Sequence, residues 1–334
     1  MTSWTVDILR ILRAADGPVS GTALCARLGI SRTAVWKHIT ALREHGFEIS
    51  SAPRRGYTLV SAPDVPFAAE IQSARSGCRL GSSVIYLSET DSTNRVGIER
   101  AEAGAVDGTV VLAEHQTSGR GRLQRRWHSA PGQGVAMSVI LRPRVEPLRV
   151  PQLSLVAAVA CARTIESTCA GDRVQIKWPN DLYVASRKVA GILCEMRAEM
   201  DRLEFLVLGI GVNVNLEHDQ FPPELAGSAT SLSEATGRRI RRVPFLHALL
   251  DELESAYESW LTDGLAPFLD AWRERSLFRG RRVAVDTGAP RPLEGTVRDL
   301  REDGALLLET DSGDLRALLS GDVSLHNARP GQTA

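Results

Sequence analysis

Phe205-Leu206-Val207-Leu208-Gly209-Ile210-Gly211-Val212-Asn213-Val214-Asn215 alternates its side chains with a period of two, the pattern of a β-strand that shows a different face to each side. Gly209, Gly211, Asn213 and Asn215 share one face, and Ile210, Val212 and Val214 share the other. Glycine weakens a strand, so two glycines on one face need a physical reason. Either a ligand lies flat where side chains would collide, or a bulge or a closely packed helix uses the space. In the first case Asn213 offers a polar handle at the end of the pocket.

Working outward, 84–87, 174–178 and 188–196 also read as strands. Apolar periodicity predicts helices at 153–167, 245–261 and 267–275. The order of these elements gives an α+β unit at residues 67–272, a central α/β domain built on a mixed or mostly antiparallel sheet. Beyond residue 280 only short strands remain, at 282–285, 295–300, 305–309, 315–319 and 323–325. Turns at Asp303-Gly304 and Ser312-Gly313-Asp314 separate some of them. They predict a small C-terminal β-barrel at 276–328.

Three further segments of the central unit carry polar chemistry. Gln116-Thr117-Ser118-Gly119-Arg120-Gly121-Arg122-Leu123-Gln124-Arg125-Arg126-Trp127 holds four arginines in twelve residues with no acid. Its glycines permit tight turns, and arginine binds phosphate or carboxylate oxygens in a planar, bidentate way. Such a loop suits a reacting anion, although a solvated basic loop has the same composition. Asp91-Ser92-Thr93-Asn94 packs four hydrogen-bonding side chains after a short strand and can equally be a helix cap. Lys177-Trp178-Pro179-Asn180-Asp181 ends a strand at the proline. Asp181 can orient a Mg²⁺-bound nucleotide or cap the turn. Lys188 opens the return strand of a hairpin around Ser186-Arg187. Small residues, Ala190-Gly191, leave room beside it, so it is either a solvated lysine or a point charge for a phosphate.

The N-terminal segment reads as a winged helix-turn-helix at 1–62. Ile8, Leu9, Leu12 and Ala15 mark one helical face, with Ser3 as N-cap and Gly17-Pro18 as the stop. Ser20 caps a second helix that ends at Gly29, and Ser31 caps a third carrying Val35, Ile39 and Leu42 inward. Short strands around Phe47 and Tyr57 flank a wing tip, Ala52-Pro53-Arg54-Arg55-Gly56. The DNA-facing positions are then Arg32, Thr33, Trp36, Lys37 and Thr40 on the third helix, with Arg54 and Arg55 on the wing. Residues 1–60 hold eight basic and four acidic side chains, a modest basic bias, and the basic residues on both the third helix and the wing tip favour DNA over a purely protein-binding role. Residues 61–66 read as a linker.

In this order, behind a winged helix, the motifs Asp91-Ser92-Thr93-Asn94, Gln116-x-x-Gly119-Arg120-Gly121-Arg122, Lys177-Trp178-Pro179-Asn180-Asp181, Lys188-x-x-Gly191 and Gly209-x-Gly211-x-Asn213 resemble the bifunctional biotin–protein ligase and biotin operon repressor family. The resemblance spans roughly residues 5 to 325. It implies activation of biotin by ATP and Mg²⁺ to biotinyl-5′-AMP. Transfer to a lysine of a carrier, such as the biotin carboxyl carrier protein of acetyl-CoA carboxylase, follows. It further implies operator DNA as a partner, a homodimer when the adenylate is bound, and an SH3-like C-terminal barrel. It assigns Ser92, Thr93 and Gln116 to the biotin ring, in a pocket that also takes in Asn94, Gly121, Gly191, Gly209 and Gly211. Arg120 and Arg122 would cover the carboxyl and phosphate, Lys188 would neutralise reacting charge, Trp127 would stack on adenine, and Asn213 would bond the nucleotide end. Lys188 and Arg122 are the catalytic candidates and Asp181 the metal candidate. One departure stands out. The family usually continues the arginine loop with another basic residue and a glycine, and here Leu123 and Gln124 take those places. That implies a stiffer loop and altered retention of the adenylate.

Composition sets bounds on this reading. The 334 residues carry 40 basic and 40 acidic side chains, so net charge does not choose a partner; 43% are hydrophobic, enough for a large core. The five cysteines have no metal spacing and read as reduced, which with the lack of a leader pattern suggests a cytoplasmic protein with no membrane span. Two alternatives remain. A lipoate–protein ligase would typically carry a triple glycine followed by His-Asp, absent here. A biotin-sensing regulator without catalysis would have less need of Arg122 and Lys188.

Overall fold

A computed structural model describes residues 3–169, 173–199 and 202–325; residues 1–2 and 326–328 of the expected terminal units lie outside these. The N-terminal unit comprises α1 (Ser3–Arg13), α2 (Gly21–Leu28), α3 (Arg32–Glu44), β1 (Glu48–Ala52) and β2 (Gly56–Ser61). Ser20 and Ser31 cap α2 and α3 by accepting the amides of Ala23 and Ala34, and Gly29 closes α2 in the left-handed conformation. Three residues separate the two helices. Ser3, expected as an N-cap, is already helical: Thr5 and Val6 are buried, so the inward face begins ahead of Ile8. Ile8, Leu9, Leu24, Val35, Ile39 and Leu42 form the core of this unit.

The central unit continues with α4 (Ala68–Ala74), β3 (Val84–Thr90), α5 (Thr93–Glu102), β4 (Val110–Gln116), β5 (Gly119–Arg120), β6 (Arg126–Trp127), β7 (Gly134–Leu141), α6 (Val150–Cys169), β8 (Gln175–Lys177), β9 (Asp181–Val184), β10 (Arg187–Glu199), β11 (Arg202–Asn213), α7 (Leu232–Thr236), α8 (Arg242–Asp263) and α9 (Leu269–Arg275). Seven strands form one sheet in the order β3-β4-β7-β11-β10-β9-β8. Only β3 and β4 run parallel, joined by α5; the other ladders are antiparallel. The opening strand is β11, between β7 and β10. One of its faces, Leu206, Leu208, Ile210 and Val212, enters the main core with α6 and α8. The other, Phe205 and Val207 followed by Gly209 and Gly211, turns toward α5. Pro147–Cys169 is long and apolar enough to cross a bilayer, but 72% of its most apolar stretch is buried within the fold, as a core helix.

The five short C-terminal strands form one antiparallel sheet, β12 (Arg282–Asp286), β13 (Leu293–Leu300), β14 (Leu306–Glu309), β15 (Leu315–Leu318) and β16 (Asp322–Leu325), ordered β15-β14-β13-β12-β16. The final strand returns beside the first, as in a small barrel. Val283, Val285, Leu306 and Val323 join the central core, and Trp178 Nε1 donates to Gly304 O at 3.2 Å. The N-terminal unit is docked as well. Arg13 on α1 pairs with the buried Glu70 on α4, and Phe67 packs edge-on between His45 and Tyr86 of β3, each ring 5.0 Å away.

Candidate functional site

The first turn of α5 and the end of β4 meet over the glycine face of β11. Ser92 takes the N-cap position of α5 without using its hydroxyl as a cap. Thr93 N and Oγ1 donate to Gln116 Oε1 at 2.7 and 3.0 Å. Asn94 Nδ2 donates to Glu195 Oε2 at 2.8 Å and Leu193 O at 3.2 Å. Ser138 Oγ, fully buried on β7, stands 2.8 Å from Thr93 Oγ1 and 2.6 Å from Asn94 Oδ1. Buried polar atoms with satisfied bonds hold a fixed geometry, since each lost bond would leave a desolvated group. Just outside, Arg95 binds the Asp91 carboxylate and holds its pKa down at about 2.

The glycines serve the protein's own side chains first. A Cβ on Gly209 would collide with the Asn94 amide, and one on Gly211 would lie 2.5 Å from Trp127 Cε2. Gly191, paired with Gly211 across β10 and β11, would bring its Cβ to 3.2 Å from Trp127 Cζ3. The indole therefore lies on a bare floor formed by two strands. Of the reasons offered for a glycine face, close packing of α5 and of the arginine loop accounts for both positions, and the cavity opens beside them.

The loop from β5 to β6 arches over this floor. Arg122 Nη1 donates to Asn180 Oδ1 at 3.4 Å and to Gly321 O at 3.3 Å. Burial lowers the Arg122 pKa, and the nearby Asp181 and Asp322 work against that shift. Arg125 pairs with Asp322 of β16, which also lies 3.4 Å from Lys177 Nζ. Burial alone would raise the Asp322 pKa; Lys177 and Arg125 outweigh it and hold the carboxyl below its ordinary range. Lys188 Nζ sits 2.9 Å from Asp181 Oδ1 and 5.8 Å from the centre of the Trp127 ring. Leu123 (φ 53°) and Gln124 (φ 60°) both occupy the left-handed region.

These groups enclose a cavity of about 360 Å³. Ser92, Thr93, Asn94 and Gln116 line one end; Arg120, Gly121, Arg122 and Trp127 form the loop side. Asp181, Lys188, Gly191, Gly209, Gly211 and Asn213 complete the wall, so all fourteen candidates from the central unit meet there. Asn213 Nδ2 donates to Thr230 O at 3.1 Å. Asn215 lies past the end of β11 and bonds Ile240 instead. Sequence reasoning missed Ser138, Asn180 as a partner of Arg122, and Asp322. The first is hidden in an apolar run, and the last is brought in by a separate sheet. Among the described residues no group of three or more His, Cys, Asp or Glu is gathered for a metal, and Asp181 is engaged by Lys188.

The second candidate surface is separate. Arg32, Thr33, Trp36 and Lys37 are exposed on α3, Thr40 is half-buried beside them, and Arg54 and Arg55 are exposed at the wing tip. Arg32 Nη2 donates to Thr22 Oγ1 at 3.0 Å, which steadies the guanidinium at the start of α3.

Comparison with known proteins agrees with this division. Family models match the biotin/lipoate A/B protein ligase family at residues 86–213, a helix-turn-helix domain at 6–58 and the biotin protein ligase C-terminal domain at 278–326. The bifunctional ligase/repressor BirA of Bacillus spizizenii is 40% identical over 96% of this chain and 98% of its own length. That of Escherichia coli is 34% identical over 97% and 98%. The structure of biotin protein ligase from Aquifex aeolicus in complex with biotin and ATP aligns with a TM-score of 0.63 at 30% identity, covering 72% of this chain and 97% of that one. A winged helix, a ligase cavity and a C-terminal sheet in one chain, matched over 96–97% of its length by the two ligase/repressors, make this protein a member of the family of bifunctional biotin protein ligase/repressors.

Proposed function

We propose that the protein activates biotin with ATP to biotinyl-5′-AMP and transfers the biotinyl group to a lysine of a biotin carboxyl carrier protein. The observation that carries this reading is the convergence of Lys188 and Arg122 on one cavity with the polar cluster of Ser92, Thr93 and Gln116. In the first step a biotin carboxylate oxygen attacks the α-phosphorus and pyrophosphate leaves. In the second, the carrier amine attacks the acyl carbon, loses a proton and releases AMP. Both steps gain from cations held where charge develops and from exclusion of water, with no covalent nucleophile required of the protein. The Thr93–Gln116 end suits the biotin ring, and Asn94, Gly121, Gly191, Gly209 and Gly211 shape the walls around it. Arg120 and Arg122 suit the carboxylate and phosphate. Lys188, steered by Asp181, adds a point charge between them, and Trp127 and Asn213 suit the nucleotide.

Among the described residues no cage of carboxylates is gathered for Mg²⁺. It would enter as the counter-ion of the triphosphate, with Asp181 as the candidate carboxylate beside it. We further infer units at 1–62, 67–272 and 276–328, a cytoplasmic location, a homodimer formed with the adenylate, and repression at an operator read by α3 and the wing. The exposed basic residues on both elements support the last point.

The test is transfer of labelled biotin to a carrier domain with MgATP, alongside reactions lacking ATP and an Arg122→Ala variant. ATP-dependent labelling that the variant loses is expected. Tight biotin binding with no labelling would instead favour a regulator that senses biotin without chemistry.

A further inference from the structure

Arg242, at the start of α8, lies outside the cavity yet is only 5% exposed. Its Nη2 is 3.0 Å from Glu114 Oε2 and 3.1 Å from Asp64 O, and its Nη1 donates to Gly134 O at 3.3 Å. The Asp64 carboxylate accepts the amides of Arg242 and Val243 at 2.9 and 2.8 Å. It thereby caps a helix whose own N-cap residue, Arg241, supplies no side-chain bond. Asp64 belongs to the linker behind the winged helix. Glu114 belongs to β4, two residues before Gln116 and on the same face by the strand period.

We propose that Arg242 is a positioning residue for the biotin end of the site, itself set in place by Asp64 of the linker. The frame it holds is small. Gly132 N donates to Glu114 O at 3.2 Å and Gln116 N donates to Ser129 Oγ at 3.3 Å, which lace the end of β4 to the segment leading into Gly134. Gly134 opens β7 opposite Asn213. The guanidinium therefore touches the ends of two strands, one carrying Gln116 and the other paired with Asn213. Gln116 in turn takes both donors of Thr93.

A buried arginine–carboxylate pair is a costly way to fill space, because desolvation offsets most of its attraction. Glu114 Oε1 is buried with no hydrogen-bond partner among the described residues, so the carboxylate is not placed there for its own satisfaction. Packing alone would be served as well by apolar side chains. What the charges add is direction: they fix one rotamer of Glu114 against one position of the linker. Burial and the Glu114 carboxylate push the neighbouring Tyr86 phenol up to about 12, with Arg242 opposing, which keeps that ring neutral beside the pair.

The inference rests on the biotin-binding role of Gln116 proposed above. It is tested on the full-length chain by calorimetric titration with biotin and by thermal unfolding, for wild type, Asp64→Ala, Asp64→Asn, Glu114→Gln and the Asp64→Ala/Glu114→Gln double variant. Asp64→Ala and Glu114→Gln should each weaken biotin binding about five- to tenfold, a usual size for coupling between sites. Asp64→Asn, which keeps an acceptor oxygen for the cap, should recover part of the loss. The double variant should bind no worse than the weaker single one, since both cut the same path. A lowered melting temperature with biotin affinity within twofold of wild type would reduce Asp64 to a helix cap and overturn the proposal, as would strictly additive losses. Failure of the wild-type chain to bind biotin would overturn the ligase reading itself.

Discussion

Lys188 has a side chain 21% exposed, its ammonium anchored by Asp181 and lying toward one face of Trp127. A lysine at a strand start is ordinarily a solvated cation, and nothing in its own position distinguishes this one. Its two neighbours do, because they leave the ammonium one carboxylate, one aromatic face and one open side toward the cavity. A cation held in a site that excludes water acts on developing charge far more strongly than one in solvent. Lys188→Ala should lower the rate of adenylate formation ~10²-fold or more, followed as pyrophosphate release with biotin and MgATP. A near-normal rate would return Lys188 to the surface. The Asp181 carboxylate was legible only as a turn cap or a metal ligand; that it steers Lys188 depends on the pairing of β9 with β10, which brings Gly191 opposite Asp181.

The loop joining β5 to β6 is the element on which sequence and structure meet most closely. Its arginines stand out because the twelve residues around them contain no acid, and the substitution of Leu123 and Gln124 stands out against the family pattern. The structure adds that both residues have positive φ, which costs each non-glycine residue roughly 1–2 kcal/mol. Placing glycine at both positions should relieve that cost and widen the range of open conformations. We expect escape of preformed biotinyl-AMP to quicken about threefold or more in the Leu123→Gly/Gln124→Gly variant, read by single-turnover release of labelled adenylate. An unchanged rate would mean that closure is set by the arginine contacts alone. Other elements were less legible. The first half of β4, Val110–Ala113, and most of β7 are buried on both faces and read as apolar runs without alternation. α5 is polar with a glycine inside it, and α4 spans only seven residues. By contrast, the caps of α2 and α3 are local chemistry, and both serines sit where the sequence puts them.

At the scale of the whole chain, three units were foreseeable, but the contacts between them were not, because such contacts join residues far apart in sequence. Arg13 on α1 neutralises the buried Glu70, and Asp64 in the linker caps α8. Removing residues 1–62 takes the first contact and spares the second. Made together with Glu70→Gln, so that no buried carboxylate is left unpaired, this truncation should retain biotin transfer and lose duplex DNA binding in a gel-shift assay. Loss of both activities would show that the units do not separate. Extending the cut through residue 66 removes the cap as well and should cost about 1 kcal/mol more in urea unfolding. The clamp on the arginine loop has a different implication. Arg125 and the aspartate that holds it are 197 residues apart. A ribosome making this chain delivers the loop early and the counter-charge of Arg125 late, and until β16 has folded that arginine has no clamp. A chain cut short before that strand would therefore carry an unlatched loop, so completion of synthesis is built into completion of the site.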